Sequence, residues 1–205
     1  MASHTPNVVS HTLTPAAFRV FRGIALPNDV ELCQMTGDDD TFLGIPRSVA
    51  YPEHSYGSDF IQDLVQVDDR RLLRLSPHAH GLLGILNEVS GERQGGLEQP
   101  EVGALDVISR ALTKLGSDLA ALSSSHGVLP GSITPEQIVV DRLEPVRMYL
   151  LPPVELVEAR DGMLSEIGVG LADTIKTTSQ NEEEERIAKI LEIPLVSWGE
   201  TSRHA

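Results

Sequence analysis

Several residue types that commonly carry a function are scarce in this chain. Cysteine occurs once, at Cys33, which excludes an internal disulfide and a cysteine-based zinc site. We interpret Cys33 as a small, buried apolar residue. Lysine occurs only at Lys114, Lys176 and Lys189, so the first half of the chain has none. Aromatic residues make up only 4% of the chain, so leucine, valine, isoleucine and alanine must fill the core.

Long apolar runs and positive net charge are also missing. No window approaches the roughly 18 apolar residues that a membrane-spanning helix needs. The polar residues 1–10 lack the apolar core of a secretory signal. The net charge of −14 gives an acidic surface, which repels phosphate backbones and anionic lipids. We therefore expect neither nucleic acid nor a membrane as partner, and the cytosol is the default location.

The residues that are present favour an α+β fold. Hydrophobic residues make up 40% of the 205 residues, enough for one core or for two small lobes that share one. The patterns predict a small, β-rich N-terminal lobe over residues 1–95. A mainly helical C-terminal lobe, which includes a short β-hairpin, is predicted over residues 96–205.

In the N-terminal lobe we predict a β-hairpin, a helix and a strand. Two apolar runs flank a Pro-Asn-Asp turn, which is typical of a hairpin. A later run has an imperfect apolar helical face, and charged residues 68–71 are interpreted as its solvated side. The predicted elements are a hairpin over residues 18–36, a loop over 37–57, a helix over 58–75 and a buried strand over 82–89.

Two groups of residues in this lobe could bind a metal ion. Asp38, Asp39 and Asp40 offer three carboxylates, although a solvated acidic turn is the more common role for such a run. His78 and His80 would share one face of a strand, but no third ligand is evident nearby. We interpret the histidines as loop residues and predict neither a metal nor a cofactor.

The strongest helical pattern lies in the C-terminal lobe, on a helix predicted over residues 101–124. Its apolar residues alternate spacings of three and four and form one stripe. A coiled-coil seam shares this pattern, but a single short run favours a core helix. The stripe consists of Leu105, Ile108, Leu112, Leu115, Leu119 and Leu122.

A hairpin and two helices are predicted after this helix. Apolar runs at residues 137–140 and 146–151 flank a polar turn and predict the hairpin. Asp161 is predicted to cap a helix that ends near Thr177. Ser179 and Glu182 have capping-box spacing and are predicted to open the last helix. Trp198 is expected to dock the tail onto the body of the protein.

The segment between the long helix and the hairpin resembles the catalytic loop of protein kinases. Residues 130–141 read Pro-Gly-Ser-Ile-Thr-Pro-Glu-Gln-Ile-Val-Val-Asp. This resembles, without a gap, the kinase pattern His-(Gly/Arg)-Asp-(Leu/Ile)-Lys-Pro-Glu-Asn-Ile-Leu-Val-Asp. Residues 145–152 then resemble the strand that runs into the kinase Asp-Phe-Gly motif. The resemblance extends over residues 82–152, about a third of the chain, and implies a kinase-like core in the C-terminal lobe.

The sequence departs from the kinase pattern at each position that carries chemistry. Kinases need an aspartate near the substrate hydroxyl, an asparagine and a second aspartate on Mg²⁺, and a small-lobe lysine. Ser132 stands at the first aspartate position and Gln137 at the asparagine position. The Asp-Phe-Gly positions hold Leu150, Leu151 and Pro152, and no lysine precedes Lys114. The resemblance therefore implies a pseudokinase-type protein without catalytic residues.

These observations predict a non-catalytic protein with an interaction or regulatory role. It would bind a protein partner, through a groove between its lobes or through the stripe of the long helix, and we do not expect it to bind nucleotide. One alternative is a small, acidic α+β adaptor or structural protein unrelated to kinases. Another is an atypical phosphotransferase that uses relocated carboxylates, namely Asp141, Glu136 and the run Asp38 to Asp40.

Overall fold

A computed structural model gives the fold of most of the chain. The residues it describes are 8–9, 26, 29–35, 41–53, 64–67, 69–76, 78–91, 102–141 and 146–201. Within them, small antiparallel sheets are combined with helices, so the predicted α+β class is confirmed.

The first part of the chain forms a five-stranded antiparallel sheet. In chain order its strands are β1 (Val8–Val9), β2 (Glu31–Met35), β3 (Thr41–Pro46), β4 (Leu64–Val67) and β5 (Arg70–Leu75). They lie side by side in the order β1-β2-β3-β5-β4. The sheet meets the core through buried apolar side chains of the central strands, among them Leu43, Ile45, Leu73 and Leu75.

The predicted loop over 37–57 and helix over 58–75 are wrong for the residues described. The loop contains strand β3, and the helix is replaced by β4 and β5. Val67 pairs with Arg70, so β4 and β5 form a hairpin where we predicted one continuous helix. Leu72 and Leu73 are both buried, and this loss of strict alternation made the strand resemble a helical face.

The hairpin predicted over residues 18–36 is tested only in its second half. Residues 31–35 form β2, as predicted, whereas residues 18–25 lie outside the described residues. Cys33 lies on β2, and the burial of its side chain stays a prediction. The boundary predicted at residue 95 also falls outside the described residues.

The strand predicted over residues 82–89 is a helix, α1 (Leu82–Gly91). A short, continuous apolar run is compatible with either a strand or a helix. Its short length favoured a strand, and that prediction is wrong. In the structure, Leu82, Ile85 and Leu86 are buried, at the helical spacing of three and four residues, while Leu83 is only partly buried. The predicted N-terminal content of hairpin, helix and strand is therefore corrected. The structure has a five-stranded sheet, followed by the short strand β6 (Ala79–Gly81) and helix α1.

Short strands and the long helix form the centre of the molecule. The elements are β6 (Ala79–Gly81), α2 (Val102–His126), β7 (Val128–Pro130), a 3₁₀ turn (Pro135–Gln137), β8 (Ile138–Asp141), β9 (Arg147–Leu150) and β10 (Leu156–Glu158). Strands β6, β8 and β9 make one antiparallel sheet in that order, and β7 pairs with β10 in another. The predicted long helix and the hairpin that follows it are both confirmed.

Three helices complete the chain: α3 (Met163–Thr178), α4 (Glu182–Val196) and α5 (Trp198–Thr201). The two longer ones were predicted, but their caps were not. Gly162, at a φ of 78°, precedes α3 in place of the expected Asp161 cap. Asn181 caps α4 by accepting a hydrogen bond from the Glu184 backbone N–H, so the Ser179 capping box is also wrong.

One continuous hydrophobic cluster joins the first sheet, the hairpin and the helices. Five of the six stripe residues of α2 are buried in it and Leu105 is partly buried, so the stripe is core and offers no docking surface. Trp198 is fully buried and donates from Nε1 to the carbonyl of Leu112 at 3.0 Å, which confirms that the tail docks onto α2. Within the part of the chain that is described, no helix is both long and apolar enough to cross a membrane.

Candidate functional site

The loop of residues 131–137 carries Ser132 and Gln137, two of the three positions at which the sequence departs from the kinase pattern that it resembles. It leaves strand β7, whose end pairs with β10 through Pro130 and Leu156, and it leads into the β8–β9 hairpin. Ile133 and Pro135 are buried and anchor the loop to the core. The loop is therefore shaped by its own apolar residues and by the two strand pairs beside it.

Ser132 lies in the middle of this loop and is exposed. A serine hydroxyl cannot take up a proton near neutral pH as a carboxylate does, because it has no comparable basicity. The residue after Ser132 points into the core and the residue before it is a glycine. Ser132 thus offers solvent a hydroxyl but no general base.

Gln137 uses its side chain to hold the backbone around it. Its Oε1 accepts from the Thr134 backbone N–H at 2.9 Å, and its Nε2 donates to the carbonyls of Leu151 at 3.4 Å and of Pro153. Its own carbonyl accepts from the Leu151 N–H at 2.7 Å. The amide that stands at the metal-binding asparagine position is therefore engaged in joining the loop to the end of β9.

The apolar residues at the end of β9 are fully enclosed. Leu150 and Leu151 are 1% and 0% exposed, and Pro152 is also buried. Burying one leucine stabilises the fold by about 1.5–3 kcal/mol, whereas a buried, unpaired carboxylate would destabilise it. Leu150 is therefore buried, and its side chain has no charge to hold a cation.

Tyr51, from the turn that follows β3, covers the backbone of Leu150. Its hydroxyl donates to the Leu150 carbonyl at 2.9 Å, and the ring is 5% exposed. Burial raises the pKa of the Tyr51 phenol, and the positive charge of Arg71 opposes that rise only in part. Tyr51 therefore stays a neutral hydrogen-bond donor over the physiological pH range.

The guanidinium of Arg71 fixes the turn that carries Tyr51. Arg71 is 7% exposed and donates from Nη1 to the Tyr51 carbonyl at 2.6 Å. From Nη2 it donates to the carbonyls of Pro46, at 3.1 Å, and of Val49. We call residues 46–51 the Tyr51 turn. Because Arg71 lies on β5, these bonds tie the turn to the first sheet.

A second connection joins the Tyr51 turn to the segment after β9. The backbone N–H of Val154 donates to the carbonyl of Ala50 at 2.7 Å, close to the bond between Tyr51 and Leu150. The turn therefore contacts the sheet on one side and the end of the hairpin on the other. Bonds within the chain therefore connect the turn to Leu150 and Val154.

Within the described part of the chain, the carboxylates and histidines that the sequence singled out do not assemble into a site. Glu136 is exposed on the 3₁₀ turn, and Asp141 is partly buried opposite Arg147 at the end of β8. His80 lies on β6 and His78 is exposed just before it, while residues 38–40 lie outside the described residues. Among the residues described, no three histidine, cysteine or acidic side chains are grouped to hold a metal.

The arrangement can present a shaped surface, but its described residues offer no base, metal ligand or cation for phosphoryl transfer at the altered positions. Comparison of the chain with known protein families, with curated proteins and with solved structures finds no match.

Sequence reasoning missed Tyr51 and Arg71, the two side chains that organise the site. Tyr51 was placed in a featureless loop, and Arg71 on the solvated face of a helix. One signal that Arg71 lies on a strand was available, because it directly precedes two leucines in a run of strand length. No local pattern indicates that a guanidinium will bind three carbonyls from a turn about 20 residues earlier, as the hydrogen bonds require.

Proposed function

We propose that this chain is a non-catalytic protein with a kinase-like core, which acts by binding a protein partner. The order of elements supports the proposal. A long helix, a loop, a short strand, a turn and a second short strand follow one another over Val102–Leu150. This is the order in which protein kinases carry their catalytic loop, and the ungapped likeness of residues 130–141 falls on that loop. The β-rich first part of the chain is in keeping with a small lobe.

One observation carries the non-catalytic part of the proposal. At two of the three altered positions, Gln137 and the end of β9 are bonded to each other, and Leu150 is bonded to Tyr51. A phosphotransferase would need those positions to hold Mg²⁺ and phosphate. Here backbone carbonyls and apolar side chains occupy them, so a framework that is retained without its chemistry supports a role in recognition.

A second candidate is a small, acidic α+β adaptor that is unrelated to kinases. It is favoured by the single hydrophobic cluster, which runs from the first sheet to the last helix without a break. Both candidates act by binding protein and differ only in ancestry, so the same experiment tests the function of either. We infer the cytosol as the location in both cases, from the acidic composition and the lone cysteine.

The proposal is tested by capture and reconstitution. The tagged chain captures proteins from extracts of the native host, and each captured protein is purified and its affinity remeasured by calorimetry, with and without Mg²⁺–ATP. We expect an affinity that does not change with nucleotide, and no phosphate on the partner by mass spectrometry.

The control is an unrelated protein of similar size and net charge, because a charge of −14 attracts basic proteins unspecifically. Capture that does not exceed this control would contradict the interaction role. Phosphate transferred to the partner, or binding that needs Mg²⁺–ATP, would contradict the non-catalytic role.

A further inference from the structure

A cleft lies between helix α1, the C-terminal end of α3 and the start of α4. Its volume is about 190 Å³. Apolar side chains form its inner wall, and polar residues at the α3–α4 connection form its rim. The lining residues are Leu83, Leu86, Ile175, Thr178, Ser179, Gln180, Glu184 and Ile187. We call this the α1–α4 cleft.

The wall of the cleft is fixed by the core. Leu86, Ile175 and Ile187 are buried and belong to the hydrophobic cluster, while Leu83 is partly buried and packs against it. Their positions do not depend on an occupant. The cleft is thus a preformed apolar surface, and it lies on a different part of the chain from the altered kinase positions.

The size of the cleft decides what kind of group fits. Sites for cofactors and drug-sized ligands have volumes of roughly 300–1,000 Å³. An apolar cavity of roughly 150 Å³ holds one benzene molecule. At about 190 Å³ the α1–α4 cleft accommodates one aromatic or branched aliphatic side chain and is too small for a nucleotide.

The polar rim does not call for hydrogen bonds from an occupant. The hydroxyls of Thr178 and Ser179 donate to carbonyls of their own helix. The carboxylate of Glu184 accepts from the Gln180 N–H and from the Asn181 side-chain amide. Because the hydrogen bonds of these groups are made within the chain, apolar contact and charge select the occupant.

The charge beside the cleft is negative. Among the described residues that line it, Glu184 is the one that carries a charge, and Glu182, Glu183 and Glu185 stand next to it on the first turn of α4. Arg186 lies 3.9 Å from Glu183 and offsets part of this charge. Lys176 is paired with Glu192 at 2.5 Å, and Lys189 lies about 200° around α4 from Ile187. Lysine or arginine in a partner would complement this rim.

We propose that the α1–α4 cleft is the docking site for a segment of a partner protein that inserts one phenylalanine- or leucine-sized side chain, with lysine or arginine on either side of it. This inference rests on the proposed interaction function and names the surface and the partner chemistry for it. The apolar anchor supplies affinity, and the basic flanks supply orientation and attraction to the acidic rim.

The test uses two synthetic peptides of lysine and serine that differ at one central residue, phenylalanine in one and alanine in the other. Their affinities for the full chain are measured by fluorescence anisotropy at physiological salt. We expect the phenylalanine peptide to bind about tenfold more tightly, because burial of the ring is worth more than 1.4 kcal/mol. The alanine peptide measures unspecific attraction between opposite charges.

Two variants localise the binding. Leu83→Glu places a charge in the wall of the cleft, and Ile193→Glu places the same charge on an exposed apolar residue of α4, which is 74% exposed. We expect Leu83→Glu to abolish the difference between the two peptides and Ile193→Glu to preserve it. Equal binding of the two peptides to the unmodified chain, or a difference that survives in Leu83→Glu, would overturn the inference.

The same variants separate this inference from the proposed function. Melting curves first establish that both variants fold. A partner captured from the host that binds Leu83→Glu as tightly as the unmodified chain would place docking elsewhere and leave the interaction role intact. Capture that fails for every form of the chain would contradict the interaction role itself.

Discussion

Arg71 carries a positive charge into the core, where all its described hydrogen bonds go to backbone carbonyls. Its Nε atom is buried without a hydrogen-bond partner. A buried guanidinium is unfavourable unless its donors are used, and here the acceptors all belong to the Tyr51 turn. The residue is therefore retained for what it positions: one side chain fixes the turn that covers Leu150.

Replacing Arg71 with methionine tests this role. Arg71→Met keeps much of the apolar stem but removes the guanidinium donors from three carbonyls, of which that of Pro46 still accepts from the Val49 N–H at 3.0 Å. We expect a loss of roughly 2–4 kcal/mol in the free energy of unfolding. Urea denaturation measures it. Arg74→Met on the same strand is the control, because Arg74 is exposed. Equal, small effects of both substitutions would show that the turn does not depend on Arg71.

At the scale of elements, the start of α4 depends on one cap. Asn181 accepts from the Glu184 N–H at 2.9 Å, whereas the Ser179 hydroxyl donates to the Ile175 carbonyl of the preceding helix. Asn181→Ala should therefore lower the free energy of unfolding by about 1 kcal/mol, and Ser179→Ala should have a smaller effect. A larger loss for Ser179→Ala than for Asn181→Ala in chemical denaturation would contradict this and support the capping box that the sequence suggested.

The contact between α2 and α5 depends on the absence of a side chain at Gly116. A Cβ there would lie 2.3–2.8 Å from three indole atoms of Trp198. We expect Gly116→Ala to destabilise the protein by about 1–3 kcal/mol through overpacking, although alanine favours helix. Gly170→Ala on α3 is the matched control, because nothing lies within 4 Å of its Cβ. That variant should gain about 0.5–1 kcal/mol, so thermal melting should shift in opposite directions for the two.

The elements that could be predicted are those with a long, regular pattern. The α2 helix shows its stripe over several turns, and the β8–β9 hairpin is marked by a polar turn between two apolar runs. The errors fall on short apolar segments. In strand β5 the leucines and arginines do not alternate strictly, and helix α1 begins as a nearly continuous apolar run, so helix and strand periods cannot be distinguished locally in either segment. Sheet pairing of β5 with β3 and β4 settles the first case, and no sequence window contains that information.

At the scale of the whole molecule, the Tyr51 turn joins the first sheet to the hairpin. The sequence predicted the β8–β9 hairpin from two apolar runs, and the structure shows that Leu150 and Leu151 at its end are buried. The sequence could not predict the contacts of Tyr51 and Arg71. The hydrogen bond of Tyr51 to Leu150 spans 99 residues and that of Arg71 to Tyr51 spans 20, and both depend on the packing of the sheet against the hairpin. The sequence therefore indicated Ser132, Gln137 and Leu150 as positions of the candidate site. It did not indicate the contacts of Tyr51 and Arg71 that surround Leu150.

The bond between Tyr51 and Leu150 predicts a pH dependence. Burial raises the pKa of Tyr51 in the folded state, while the unfolded chain has the ordinary value of about 10. Above that pH the unfolded chain binds fewer protons than the folded one, so this contribution to stability is complete below about pH 10 and is lost as the pH rises further.

Tyr51→Phe removes that contribution. We expect the variant to lose about 1 kcal/mol at neutral pH, where the hydrogen bond is missing. Its free energy of unfolding should fall less steeply than that of the unmodified chain above about pH 10. Urea denaturation across this range measures both slopes, and parallel slopes would mean that Tyr51 is not held neutral in the folded protein.

We propose that contacts within the chain hold Gln137 and Leu150 in place and that the protein binds no nucleotide. Thermal melting of the unmodified chain and of Leu150→Asp, each with and without millimolar Mg²⁺–ATP, tests it most directly. We expect Mg²⁺–ATP to leave both melting temperatures unchanged. Leu150→Asp should melt at a lower temperature, since an unpaired carboxylate at a fully buried position destabilises the fold by roughly 3 kcal/mol or more. A ligand at 100 times its dissociation constant would stabilise the folded state by about 2.7 kcal/mol. A rise in the melting temperature of the unmodified chain on adding Mg²⁺–ATP, or an unchanged melting temperature for Leu150→Asp, would contradict the account.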